Sequence, residues 1–107
     1  MTSSFAEQVY AQLRKVPRGR VTTYKELAAA VGSQAYRAVG QVMRTNPYAP
    51  IVPCHRVVSN DGSVGGFKGE TEGASIKEKI MLLEKEGVVI EHNKVKDFAR
   101  KKFTFSS

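Results

Sequence analysis

The 107 residues fit one domain with a single modest core, and 41% hydrophobic against 25% charged residues is ordinary globular composition. No apolar run approaches the ~18 residues that a membrane span needs, and Met1 to Gln8 lack the basic region and apolar stretch of a signal peptide, so no membrane partner is expected. Seventeen Lys and Arg against ten Asp and Glu give a net charge of +7 and a pI near 9.8, which prepares a small domain for a polyanion, with nucleic acid the leading candidate and a generally basic protein the alternative.

Phe5, Val9, Leu13 and Val16 recur at helical spacing and predict an amphipathic helix over 4–15, ended by Pro17-Arg18-Gly19-Arg20. Val21-Thr22 reads as extended. Thr23-x-x-Glu26 is a capping box that opens a helix running to Val31 and stopping at Gly32. Ser33 is suited to cap the next helix, over about 34–45, which ends before Asn46-Pro47. Two short helices joined by a Gly-Ser turn predict a helix-turn-helix.

The second of these helices has two faces. Ala35, Val39, Val42 and Met43 form an apolar stripe, while Gln34, Arg37, Gln41 and Arg44 form a polar one suited to DNA contact or to plain solvation. Gly40 lies beside the polar stripe with small Ala38, and a glycine there costs a helix about 1 kcal/mol relative to alanine. Close approach of another backbone, such as a DNA strand or a packed neighbour, would explain it.

Pro53-Cys54-His55-Arg56-Val57-Val58 holds the only cysteine, which excludes an internal disulfide and a CxxC zinc site. An unpaired thiol suits a reducing compartment, so the protein is expected inside the cell, cytoplasmic (at the nucleoid) in a prokaryote and nuclear in a eukaryote. The thiolate is the nucleophilic form of cysteine, and a neighbouring imidazole is a common means of drawing off its proton. Pro53 predicts a kinked turn at Cys54. His55–Val58 and Ser63–Phe67 read as extended runs around a Ser59-Asn60-Asp61-Gly62 turn. Gly65-Gly66-Phe67-Lys68-Gly69 is a glycine-rich loop without the spacing of a phosphate loop. A last helix is predicted over 75–86, with Ile76, Ile80 and Leu83 inward and Gly87 ending it. Val88–Ile90 and Lys94–Phe98 predict a terminal hairpin, Arg100-Lys101-Lys102 a solvated tail, and His92 a surface residue.

Over about 15–90 the chain resembles the C-terminal, active-site domain of the O(6)-alkylguanine-DNA alkyltransferases. The resemblance rests on Val21-Thr22-Thr23-Tyr24, Arg37-Ala38-Val39-Gly40, Met43-Arg44-Thr45-Asn46-Pro47, the segment from Ile51 through Val58, and Lys79 through Gly87. It implies a mainly α, winged-helix-like domain with short β strands and a DNA-binding helix-turn-helix. It also implies direct repair, in which Cys54 takes the alkyl group from the guanine oxygen of an everted base. Glu86, His55 and a water would ionise Cys54. Tyr24 would hydrogen-bond the guanine ring, Arg37 would fill the vacated stack, and Asn46 would brace the turn before the cysteine. On residues alone, Tyr24 reads first as a half-buried core aromatic, Glu86 as a solvated last-turn carboxylate and Asn46 as a helix stop.

Val57, Phe67 and the backbone N–H of Lys68 would line the guanine pocket, where the family commonly has an aromatic followed by a small hydroxyl residue. Gln34, Gln41, Gly40, Arg44 and Ala38 would join Arg37 on the DNA. A helix-turn-helix alone predicts major-groove docking, whereas the resemblance implies the minor groove with an arginine wedge. No cofactor or metal is expected, the family's usual N-terminal domain is expected to be absent, and the partner expected is double-stranded DNA carrying O(6)-alkylguanine, bound by a monomer. The alternative is a non-enzymatic alkyltransferase-like protein that binds the lesion and recruits other repair; such proteins are also short, but typically replace the cysteine.

Overall fold

The computed structural model describes residues 4–48, 51–67 and 73–105. Helix α1 (Phe5–Leu13) starts where the Ser4 hydroxyl accepts the Glu7 N–H at 3.1 Å, and it buries Val9, Tyr10 and Leu13. Strand β1 (Thr22–Thr23) leads directly into α2 (Tyr24–Ala30). The Thr23 hydroxyl accepts the Glu26 N–H at 3.1 Å, forming the forward half of the capping box, while the Glu26 carboxylate lies 3.5 Å from Lys102 Nζ.

Helix α3 spans Tyr36–Arg44, two residues shorter at its start than the sequence pattern suggests. Ser33 does not cap it. Its hydroxyl accepts the Ala35 N–H at 2.9 Å, a local turn that competes with helix. Gln34 therefore precedes the helix, and Ala35 is exposed instead of joining the apolar stripe. Val39 and Met43 bury the inner face of α3 among Val9, Leu13, Leu27 and Val52, so α1, α2 and α3 share one core.

Cys54–Arg56 form a single 3-10 turn that runs into β2 (Val57–Val58). The extended run predicted from His55 thus shrinks to the two valines. Strand β2 pairs in parallel with β1, Thr22 opposite Val57 and Thr23 opposite Val58. That pairing carries the start of α2 to the segment after the cysteine, where the Lys25 N–H donates to Asn60 Oδ1 at 3.1 Å. The second extended run, Ser63–Phe67, forms no strand, and Ser63 makes an isolated antiparallel bridge to Lys94.

Helix α4 (Ala74–Lys85) ends at Gly87, whose φ of +89° suits glycine. The Val88 N–H donates to the Leu83 carbonyl and the Gly87 N–H to that of Glu84, each at 3.0 Å, a Schellman motif that leaves Glu86 at the cap. Strands β3 (Ile90–Glu91) and β4 (Lys94–Val95) form the expected hairpin around His92 and Asn93, both at positive φ as a two-residue primed turn requires. The tail departs from expectation. Phe98–Lys101 form a short helix, α5, after which Lys102 bridges Val21 in parallel, with Val21 N–H donating to the Lys101 carbonyl at 3.0 Å. Phe98 packs against Val21, Val58, Leu83 and Val95, and this apolar contact draws the basic run onto the domain instead of into solvent. Among the described residues no helix is long and apolar enough to cross a membrane.

Candidate active site and nucleic-acid interface

Cys54 is half-buried at the first position of its 3-10 turn, with its N–H donating to the Val52 carbonyl at 2.8 Å. The next residue, His55, is only 4% exposed. Its Nε2 lies 3.1 Å from Glu86 Oε2 at the end of α4. Arg56 completes the cluster, with Nε 2.9 Å from Glu86 Oε1 and Nη2 2.7 Å from Oε2, while Nη1 donates to the Val16 carbonyl at 2.7 Å. One carboxylate thus accepts three side-chain N–H groups and ties the cysteine turn to the end of α4, while Arg56 ties the same turn to the segment after α1.

The charges follow from this geometry. Burial pushes the Glu86 carboxyl up, but the hydrogen bonds from Arg56 and His55 and their charges more than offset it, so its pKa falls below the usual value. Burial pushes the His55 pKa down, and Arg56 and Lys79 add to that against the opposing pull of Glu86, leaving it below 6.5. Near pH 7 the pair is therefore carboxylate and neutral imidazole. An ionised carboxylate only accepts, so the imidazole proton sits on Nε2 and the other ring nitrogen, Nδ1, is left as a base. The tight turn of about three residues per repeat at Cys54–Arg56 takes the place of the extended run expected from His55.

Lys79 is wholly buried beneath this turn, and no role was read for it from the sequence. Its Nζ donates to the carbonyls of Val57 at 2.7 Å, Val64 at 2.5 Å and Gly66 at 3.0 Å. Burial pushes the amine down to about 7, and the nearby Cys54 opposes the shift. Three carbonyls in bonding range also favour the ammonium, the form with three N–H groups to donate. A signal was available: Lys79 falls on the Ile76–Leu83 face of α4, where the helical period puts a cation among apolar neighbours. The role of Arg56 is not visible in the sequence, because nothing local reveals a partner thirty residues away.

Tyr24 stands at the first position of α2, half-buried. Burial raises its phenol pKa, and the charge of Cys54 adds to the rise, so it remains an O–H donor at neutral pH. It lines an open recess of about 330 Å³ with Tyr36, Arg37, Gly40, Ser59 and Asn60. Val57, expected to line a pocket, is wholly buried in the core, and Phe67 packs with Val64 and Ile76. Lys68 lies outside the described residues. Asn46 bridges the loop before the cysteine: Nδ2 donates to the Val52 carbonyl and Oδ1 accepts the Tyr48 N–H, both at 2.9 Å. It acts on backbone and is a positioning residue. Arg37, Gln41 and Arg44 are exposed on α3, with Ala38 and Gly40 partly so. Gln34 and His92 are also exposed, Gln34 in the turn before α3 and His92 at the hairpin tip.

Residues 4–88 match the family model described as "6-O-methylguanine DNA methyltransferase, DNA binding domain". The chain belongs to this family. The match is to a domain described by DNA binding, a coarser assignment than the active-site domain suggested by the motifs. The chain is 44% identical over 95 residues to the methylated-DNA–protein-cysteine methyltransferase of Metallosphaera sedula, an alignment covering 89% of this chain and 56% of that one. It spans about half the length of the curated relatives it matches. Among solved structures, the O6-methylguanine-DNA methyltransferase of Pyrococcus kodakaraensis superposes with a TM-score of 0.68 at 45% identity, covering 81% of this chain and 48% of that one. S. pombe Atl1, in complex with damaged DNA containing O6-carboxymethylguanine, superposes with a TM-score of 0.81 at 28% identity, covering 98% of this chain and 99% of that one. The family's mainly α fold with short strands is the architecture described above.

Proposed function

We propose that this is the family's C-terminal, active-site domain, and that it repairs O(6)-alkylguanine in double-stranded DNA by one irreversible transfer to Cys54. The observation that carries this reading is the Arg56–Glu86 pair bonded to the buried His55, which supplies a neutral imidazole beside the only cysteine. The thiol proton passes to His55, through a water as the family resemblance implies, and Glu86 stabilises the imidazolium that forms. The sulfur attacks the alkyl carbon, the carbon–oxygen bond breaks, and its electron pair stays on the guanine. The phenol of Tyr24 donates a hydrogen bond to the ring as negative charge develops there. The base leaves with the proton the thiol gave up, and the protein keeps a thioether.

DNA binding rests on the exposed face of α3. Gly40 supports it in an unexpected way: a Cβ added there would meet nothing within 4 Å, so among the described residues no neighbour accounts for the glycine. The space it leaves open is compatible with close approach from outside, such as a DNA strand in the minor groove with Arg37 as the wedge. Gly40→Ala should accordingly stabilise the free domain by about 0.5–1 kcal/mol, raising Tm by a few degrees, while weakening DNA binding. Thermal melts and a binding titration check the two opposite signs. A gain in stability with unchanged binding would remove Gly40 from the interface.

The whole-chain likeness to Atl1 favours a second reading, in which the domain binds the damaged base and does no chemistry. Excess methylated-guanine duplex mixed with a known amount of protein decides between them. Transfer predicts a burst no larger than the protein added and a mass gain of one methylene on the peptide carrying Cys54. Tight binding with no gain selects the second reading, and lesion removal beyond stoichiometry rules out both.

A further inference from the structure

Tyr36 sits one position before Arg37, at the first turn of α3, with 41% of its surface exposed. It belongs to none of the hydrophobic core clusters, and a lone exposed aromatic is in itself unremarkable. Its neighbours make it informative. Tyr36 and Arg37 both line the recess of about 330 Å³ that also holds Tyr24 and Gly40. Gly40 lies one helical turn beyond Tyr36 on the same face, and its missing side chain leaves a step open to solvent beside the tyrosine. An aromatic ring next to a flat, unfilled step, flanked by Arg37 and Arg44 on a chain of net charge +7, is the arrangement that receives an unpaired nucleobase: cations hold the backbone and the ring offers a stacking face.

Resting on the DNA-repair reading above, we propose that Tyr36 and Arg37 form a two-residue wedge, with the Tyr36 ring stacking on a nucleobase left unstacked when the lesion leaves the duplex. Everting a base opens two needs at once. The gap in the stack must be filled, and the exposed face of a neighbouring or orphaned base must be covered. A guanidinium fills the gap as a flat cation. An adjacent aromatic covers the face, as inserted apolar side chains do in proteins that kink the minor groove. The wedge makes Tyr36 a determinant of lesion over undamaged DNA, because the face it covers exists only after eversion.

The test compares Tyr36→Ala and Tyr36→Phe with wild type on two duplexes, one with a single O(6)-methylguanine and one undamaged, each carrying 2-aminopurine beside the lesion position. Tyr36→Ala should bind the lesion duplex about tenfold more weakly and the undamaged duplex as wild type does. Its salt dependence should be unchanged because no charge is removed. Tyr36→Phe should behave as wild type, and 2-aminopurine emission should rise further with the alanine variant than with either aromatic. Equal losses on both duplexes would make Tyr36 a general backbone contact and overturn the wedge. So would a phenylalanine variant as weak as alanine, which would assign the role to the hydroxyl, or an alanine variant with full lesion binding. A wild-type protein that does not distinguish the two duplexes would instead overturn the repair reading, and the wedge with it.

Discussion

Cys54→Ala should give a protein that binds methylated-guanine DNA as tightly as wild type and never accepts the alkyl group. The separation of the two activities follows from where their residues lie. In the proposed reading binding belongs to the exposed side chains of α3, whereas the thiol sits on the turn before β2. The substitution deletes one sulfur from a half-buried site whose contacts are with apolar neighbours of the core, so the packing loss is small beside the cluster-forming residues around it. Removal of the nucleophile leaves the His55 base with nothing to deprotonate, and no other cysteine exists to substitute. Alkyl transfer from a labelled oligonucleotide should fall to background while a gel-shift titration stays within about twofold of wild type. An alanine variant that still clears the lesion would show that another group is the acceptor.

Glu86→Gln should be the most damaging conservative change in the domain. The carboxylate is 9% exposed and accepts from both Arg56 and His55, so the amide leaves a guanidinium in the interior without its counter-charge. Leaving one partner of a part-buried, hydrogen-bonded ion pair unmatched costs about 1–3 kcal/mol, a noticeable share of the roughly 5–15 kcal/mol that holds a domain together. Chemistry should fail as well. Without the anion the imidazole proton is no longer fixed on Nε2 and the imidazolium is no longer stabilised, and a displaced general base costs about 10²-fold or more in rate. Lys79, Arg56 and Tyr24 also face this region, and the first two carry charge that disfavours a protonated His55.

The pH dependence has a defined sign. Folding lowers the pKa of both His55 and Glu86, so the unfolded chain binds more protons and stability rises with pH. In wild type, the part of the stability that comes from these two groups should be complete above His55's ordinary value of 6.5, decline below it, and decline again below 4.5 as Glu86 protonates, while the lowered pKa of Lys79 adds a separate rise above about 7. Glu86→Gln should abolish the lower limb. Urea unfolding at a series of pH values measures both limbs and the stability loss together. Equal stability of variant and wild type at pH 7, with transfer intact, would show that the cluster contributes neither to the fold nor to the reaction.

Elements governed by neighbours a few residues apart were legible in the sequence. Ser4, Thr23 and Gly87 mark helix ends because a hydroxyl or a positive φ satisfies orphan backbone groups locally. Val39 and Met43 turn inward on α3, and Arg37, Gln41 and Arg44 outward, as helical spacing requires. The pairing of Cys54 with His55 is visible in the chain itself. Local rules failed where two local options competed: Ser33 used its hydroxyl on the next turn rather than on α3.

Contacts between distant segments were decided by how the chain closes. The parallel pairing of β1 with β2 brings Tyr24 toward the cysteine segment, and no periodicity within either pair of residues announces it. Arg56 meets Glu86 only because α4 ends against the 3-10 turn. Lys79 is held under that turn by the carbonyls of Val57, Val64 and Gly66, acceptors from segments on both sides of the Ser59–Gly62 turn. Sequence spacing encodes which residues share a face of one element. The burial of charge needs a partner from another element, and tertiary packing alone supplies it.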